Sequence, residues 1–546
     1  MELHEIREKL KEMYGGENKP ITDGNYDQSL AVKCINGTFV GKKAENIISY
    51  KGIPFVGQQP VGNLRWKAPV DVTPNDGIYE AYNFAKLSCQ DLSITDYQGE
   101  DCLYLNVYKA ASKQEQSQAC LNSAEREQSR PKGKADDAVT KKPVMVWIHG
   151  GAFMAGGTGL PLFDCTELVK ENPDVIYVTV PYRLGVLGFL HLSHLADGKD
   201  YPDAQNLGLL DQKMALKWVH ENIAAFGGDP DNVTIWGESA GAGSVTIQPL
   251  IKGSQQYFQK VITQSGAPSQ TNSVEESIST TNDLMEALSC KTVADLMKVD
   301  ARTLIDTAAA TVALRIFPVR DGNILPFDPW EAYENGIAKD IVFLQGCNKD
   351  EMNCFVADWT VEGFKAWAAD RKTKKYAHLL TDSERAKIES FCKEGAVEDW
   401  DPDSRLFGHS WFIEGAIKMS ESQTKGGGKS YTYYYRVESS DPIRKSAHFE
   451  EVPIVFAHPE MIEGRQYDAT FMNTMRKMWT QFAKTGNPSL SADISPDGKA
   501  KEWPLYDLDN KQVMVLDEFN IHPAKESEVK IVDWERSYFL TKYYML

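Results

Sequence analysis

The chain has no uninterrupted apolar run of about 18 residues, the length a helix needs to cross a bilayer, so nothing in it reads as a membrane span. It has no C-x-x-C pair, and its nine cysteines and ten histidines do not fall at metal-ligand spacing. Basic residues are in deficit: 59 Lys and Arg face 77 Asp and Glu, a formal charge of −18. Such a chain repels nucleic acid and anionic membranes, although the field inside a cleft need not follow the total. Internal repeats are absent. The first residues, Met1 to Tyr14, lack the apolar stretch of a secretory leader. Leu3, Ile6, Leu10 and Met13 fall instead at the spacing of a short amphipathic helix. That start points to the cytoplasm, with a secreted form stripped of its leader as the alternative. Most cysteines read as buried apolar fillers. Cys89 and Cys102 are near enough in sequence to close a loop by a disulfide, a question the sequence leaves open.

What is present is an alternation of strands and helices. Leu103 to Tyr108, Val144 to Ile148, Val175 to Val180, Tyr257 to Gln264 and Ile341 to Gln345 are short apolar runs of the kind buried on both faces in a parallel sheet. A helix over Gly208 to Phe226 carries Leu209, Met214, Leu216, Trp218, Val219 and Ile223 on one side. The expected class is therefore α/β with a mostly parallel, wound sheet. Ala31 to Lys67 reads as a small antiparallel meander. Residues 109–142, nearly free of apolar side chains, read as a mobile surface insertion. Residues 271–314 are helical in pattern and read as cap helices. No linker divides the chain, so residues 1–546 are expected to form one domain with an N-terminal extension over 1–30.

The stretch Asn232 to Gly243 carries the sharpest chemical signal. Val233, Ile235 and Trp236 form strands readily, and Ala240 to Leu250 suits a helix packed close to a sheet. Between them Gly237 and Gly241 bracket Ser239 in the pattern G-x-S-x-G. A tight strand-to-helix turn of this kind exposes the serine hydroxyl at a helix N-terminus. A serine nucleophile needs a base, a group to orient that base, and amides aimed at the developing oxyanion. His149-Gly150-Gly151-Ala152-Phe153 follows a predicted strand directly and leaves the amides of Gly151 and Ala152 bare. Ala240 offers a third. For the base, the chain order Ser, acid, His leaves His378, His409, His448, His458 and His522. For the acid, Asp350 and Glu351 both follow the late strand, and the pattern alone does not choose between them. Two other motifs carry no chemistry. Lys425 to Ser430 imitates a phosphate loop but has Gln423 where that loop needs glycine. The sequons at Asn36 and Asn232 carry no weight either, the second lying in a predicted strand.

The chain resembles the type B carboxylesterases, the branch of the α/β-hydrolase family that includes cholinesterases and p-nitrobenzyl esterases. The matching stretches are Tyr50 to Phe55, Glu100 to Asn106, His149 to Phe153, Tyr182 to Gly185, Asn206 to Gln212 and Phe226 to Gly243. Near the end Trp479, Phe482 to Pro488 and Trp503-Pro504 match as well. The resemblance implies the α/β-hydrolase fold, with a mostly parallel central sheet, helices on both faces and a helical cap. It implies Ser239 as nucleophile. It implies Glu351 as the acid, from the form G-x-N-K-D-E over Gly346 to Glu351. His448 is the implied base, because Glu451 and Phe456 complete the pattern H-x-x-E-x-x-x-x-F. The implied activity is hydrolysis of small, largely uncharged carboxylic esters through an acyl-enzyme, with no metal or organic cofactor. Activity is expected to rise through a histidine-like pKa of about 6.5 to 7. Loss of one oxyanion donor is expected to cost about 10²–10³ in rate. The interval from Cys89 to Cys102 holds Tyr97 but no tryptophan, against a choline site, and is too polar for a lipase lid. A non-enzymatic interaction protein on the same fold, and an amidase or peptidase using the same triad, are the alternatives.

Overall fold

The computed structural model describes residues 16–90, 97–112, 141–373, 380–458, 461 and 468–529. The amphipathic start and most of the 109–142 insertion lie outside them. An 11-stranded sheet organises the molecule. Its strands are β1 (Lys42–Ala44), β2 (Ile47–Pro54), β3 (Tyr104–Ala110), β4 (Lys142–Ile148), β5 (Ile176–Val180) and β6 (Gly228–Glu238), then β7 (Lys260–Gln264), β8 (Val342–Asn348), β9 (Lys429–Tyr435), β10 (Gln512–Leu516) and β11 (His522–Lys525). They lie in the order β11-β10-β9-β8-β7-β6-β4-β5-β3-β2-β1. From β5 across to β10 every neighbouring pair is parallel, and antiparallel strands close both edges.

The two-residue period of β4 explains its continuous apolar run. Val144, Val146 and Ile148 enter one core with Leu209, Leu216 and Trp218 of helix α1 (Leu207–Asn222). Met145 and Trp147 enter a second core on the opposite face, with Phe471, Met475 and Trp479 of the late helix Ala469–Thr485. Each such fully buried side chain is worth about 1.5–3 kcal/mol of transfer free energy, so the sheet is held from both sides.

The meander expected over Ala31 to Lys67 is divided. Ala31–Cys34 and Gly37–Val40 form an antiparallel hairpin, but its second strand pairs in parallel with Ile78–Glu80 in a separate small sheet. β1 and β2 instead join the edge of the large sheet. Local alternation set the strands, and long-range pairing chose their partners. The segment 271–314 contains the helices Val274–Ala287, Val293–Leu296 and Ala301–Thr311, which bury Leu284, Leu296 and Leu304 in the same core as α1. Lys425 to Ser430 is the turn from a helix into β9. Asn36 and Asn232 are both engaged by side-chain hydrogen bonds within the fold. Cys89 and Cys102 are free thiols. Among the described residues no helix is long and apolar enough to cross a membrane.

Candidate active site

Ser239 sits at the turn between β6 and helix α2 (Ala240–Ile247), with φ 56° and ψ −123°. A non-glycine residue there costs on the order of 1–3 kcal/mol and persists only when its surroundings impose it. They do: the Ser239 amide donates to the Gln264 carbonyl at 2.9 Å, and its own carbonyl accepts from Gly243 at 2.9 Å. The flanking glycines follow from close packing. A Cβ on Gly237 would stand 2.5 Å from the Gly241 carbonyl carbon, and one on Gly241 would collide with the Ile148 carbonyl oxygen. Thus the helix is pressed against the end of β4, which is where the glycine-rich loop begins.

That loop runs alongside the serine. A Cβ on Gly150 would lie 3.2 Å from Ser239 Cβ. Ala152 and Phe153 take left-handed φ values of 53° and 59°. Among the described residues the amides of Gly151, Ala152 and Ala240 donate to no backbone carbonyl outside their own element. His149 is buried, stacked on Tyr182 at 4.6 Å, and its Nδ1 lies 2.8 Å from the Gly150 carbonyl. Burial pushes its pKa down to about 4, so it is a neutral packing residue near neutral pH.

Glu351 and His448 meet side chain to side chain. His448 Nδ1 lies 2.6 Å from Glu351 Oε2, and the His448 amide donates to the Glu351 carbonyl at 3.1 Å. Glu351 Oε1 accepts from the Asn348 amide at 2.7 Å. The other ring nitrogen, Nε2, lies 2.9 Å from Oε1 of Glu238, the residue before Ser239. Nε2 therefore faces the Glu238 carboxylate, and among the described residues no hydrogen bond joins it to Ser239. Burial works against a charge on the ring, but the carboxylates of Glu238 and then Glu351 outweigh it and hold the His448 pKa well above the ordinary imidazole value. Phe412 packs on the ring at 4.1 Å between centroids, and Phe355 stacks at 6.2 Å. Phe412 belongs to a π-helical turn, His409–Ile413, that opens into helix Glu414–Lys425.

A chain of hydrogen bonds continues from Glu351 into the core. Asn348 Nδ2 donates to Glu451 Oε2 at 2.6 Å, Gln264 Nε2 donates to Glu451 Oε1 at 3.0 Å, and Trp479 Nε1 donates to Gln264 Oε1 at 3.1 Å. Burial, followed by the charge of Glu238, pushes the Glu451 carboxyl up to about 7. Burial likewise raises Glu238.

Of the other candidates, Asp350 turns away to the Ser446 amide and Lys349. His409 packs edge-on against Phe391, His458 Nε2 lies 3.0 Å from the Asp164 carbonyl, and His522 Nδ1 lies 2.9 Å from the Asn520 carbonyl at the sheet edge. His378 falls outside the described residues. Sequence reading overlooked Glu238, Phe412 and Phe355 around the imidazole and Gln264 in the hydrogen-bond chain behind it. Glu238 carried a signal, a carboxylate ending an apolar strand, whereas Gln264 and Phe412 are brought there only by folding.

Residues 28–531 match the model of the family described as "Carboxylesterase family". The chain is 32% identical over 525 residues to the para-nitrobenzyl esterase of Bacillus subtilis (strain 168), covering 90% of this chain and 96% of that one. It is 28% identical over 553 residues to the acetylcholinesterase of Bungarus fasciatus, covering 92% and 83% respectively. Among solved structures, the Geobacillus stearothermophilus carboxylesterase EST55 at pH 6.2 superimposes with a TM-score of 0.77 at 30% identity, covering 92% of this chain and 99% of that one.

Proposed function

The chain belongs to the carboxylesterase family and is a carboxylic ester hydrolase of the α/β-hydrolase fold, and from that premise we propose that it cleaves small esters, largely uncharged about the scissile bond, through an acyl-enzyme on Ser239. Ser239 Oγ attacks the ester carbonyl while His448 Nε2 takes its proton. Glu351, on Nδ1, fixes the tautomer and stabilises the imidazolium. The amides of Gly151, Ala152 and Ala240 receive the tetrahedral oxyanion. His448 then returns the proton to the leaving alcohol, and water repeats the sequence to release the acid. The observation that carries this reading is the imidazole itself: oriented by Glu351 at 2.6 Å, with Nε2 at 2.9 Å from the carboxylate of Glu238, the residue before the strained serine turn.

A fluorophosphonate probe tests it: labelling of Ser239 in folded protein, abolished in Ser239→Ala, is the expected result. Paired rates on an acetate ester and its matched anilide separate esterase from amidase. Faster turnover of the anilide would overturn the ester assignment.

A further inference from the structure

Arg371 ends the helix Val361–Arg371, where the charges of Asp370 and Glu276 act on it without a direct pair. Among the described residues it pairs with no carboxylate; one Nη donates to the Leu314 carbonyl at 3.2 Å, and its Nε is buried with no acceptor. The guanidinium lies over Trp367 at 5.9 Å and Trp411 at 5.7 Å. Burial, then the like charge of Arg315, makes its own charge harder to hold. Leaving a guanidinium so poorly satisfied costs stability unless something else supplies the acceptor.

The space before it is a cavity of about 350 Å³ lined by Leu314, Arg315, Phe317, Thr280 and Asn272. Leu314 is held at φ 54°, a strained value for a bulky residue. Two packing contacts run from the cavity wall toward the reacting centre. Phe317 packs edge-on against Phe153 of the oxyanion loop at 5.9 Å. Trp411, beneath Arg371, packs on Phe412, which covers His448. The other charges on the lining are Arg315, paired with Asp283, and the carboxylates of Glu275 and Glu276, the latter accepting from the Ser273 amide in a capping box.

We propose that this cavity binds a carboxylate carried at the far end of the ester, with Arg371 as the residue that selects it. The inference rests on ester hydrolysis at Ser239 and names the substrate class: half-esters of dicarboxylic acids, or esters of hydroxy acids. Glu238 and Glu351 flank the imidazole and disfavour an anion there, so the substrate stays uncharged at the scissile bond and carries its charge beyond it. An arginine fork fits a carboxylate with two parallel hydrogen bonds, and the aromatic floor lowers the competition from water.

The test compares p-nitrophenyl hemiglutarate with p-nitrophenyl valerate, and 4-acetoxybutanoate with butyl acetate, by kcat/KM. In Arg371→Gln the ratio of anionic to neutral ester falls by about 10- to 100-fold in at least one pair, the value of one charge-assisted contact. Leu314→Glu, which places a carboxylate at the guanidinium from within, lowers the same ratio and serves if the first variant does not fold. Ratios unchanged in both pairs overturn the assignment of Arg371. Fluorophosphonate labelling of Ser239 is read in parallel: labelling with unchanged ratios sinks this inference alone. Absence of both labelling and turnover sinks the esterase mechanism and this inference with it.

Discussion

His448 has a carboxylate on each side, Glu351 at 2.6 Å and Glu238 at 2.9 Å, and this decides its titration. The base must be neutral to act, so a raised pKa moves the acidic limb of kcat/KM upward. The limb is therefore expected above about 6.5, the value of a free imidazole, and not at the ordinary histidine position that the motif alone suggests. Glu238→Gln removes the larger of the two charge effects on the ring. Its acidic limb moves down, and activity at about pH 6 rises relative to about pH 8. A limb that stays in place would show that Glu238 does not govern the ring. Ser239→Ala is expected to lower kcat by on the order of 10⁶, measured on a p-nitrophenyl ester.

Among elements, the turn from β6 to α2 is the most tightly specified. Gly241 leaves no room for a methyl group against the Ile148 carbonyl, and that strand end also launches the glycine-rich loop. Gly241→Ala therefore forces the helix away from β4. A destabilisation of about 1–3 kcal/mol is expected, with a larger fractional loss of kcat than of thermal stability, because Ser239 and the loop amides move apart. Equal, small changes in both would mean the helix tolerates the methyl group. The hydrogen-bond chain from Glu351 through Asn348, Glu451 and Gln264 to Trp479 joins β8, β7 and the late helix across the second core. Trp479→Phe keeps an aromatic ring in the core but removes part of its volume and leaves Gln264 Oε1 without its donor, an expected cost of at least about 1–3 kcal/mol in denaturant unfolding.

Across the whole molecule, stability depends on a few buried charges. Arg183 and Asp211 are both buried and joined by a bidentate pair, Nε to Oδ2 at 2.8 Å and Nη2 to Oδ1 at 2.7 Å, with the Arg183 amide also donating to Asp211. Asp211→Asn strands the guanidinium and is expected to cost about 3–5 kcal/mol, read as a drop in thermal midpoint. Glu451 acts through pH. Its folded pKa is raised from 4.5 to about 7, so the folded state holds a proton that the unfolded chain releases. That contribution is fully present below about 4.5 and is lost as pH rises through about 7. The thermal midpoint of the wild type should therefore fall over this window, and fall less in Glu451→Gln.

The sequence by itself determined the strand and helix alternation, the serine turn and the glycine loop, because each is written in neighbouring residues: a two-residue apolar period, or glycines where no methyl group fits. It also held the pieces whose purpose appeared only on folding. Arg183 and Asp211, set in separate motif stretches, turn out to be one buried ion pair, and Asn348, Glu451 and Trp479 one hydrogen-bond chain. The choice of Glu351 over Asp350 follows from which carboxylate faces the imidazole. That is a matter of strand ends meeting across the sheet. Glu238 at Nε2, Phe412 on the ring and Arg371 over its cavity were decided by tertiary structure alone. Burial and charge act through space at a few ångströms, between residues that the chain separates by tens or hundreds of positions.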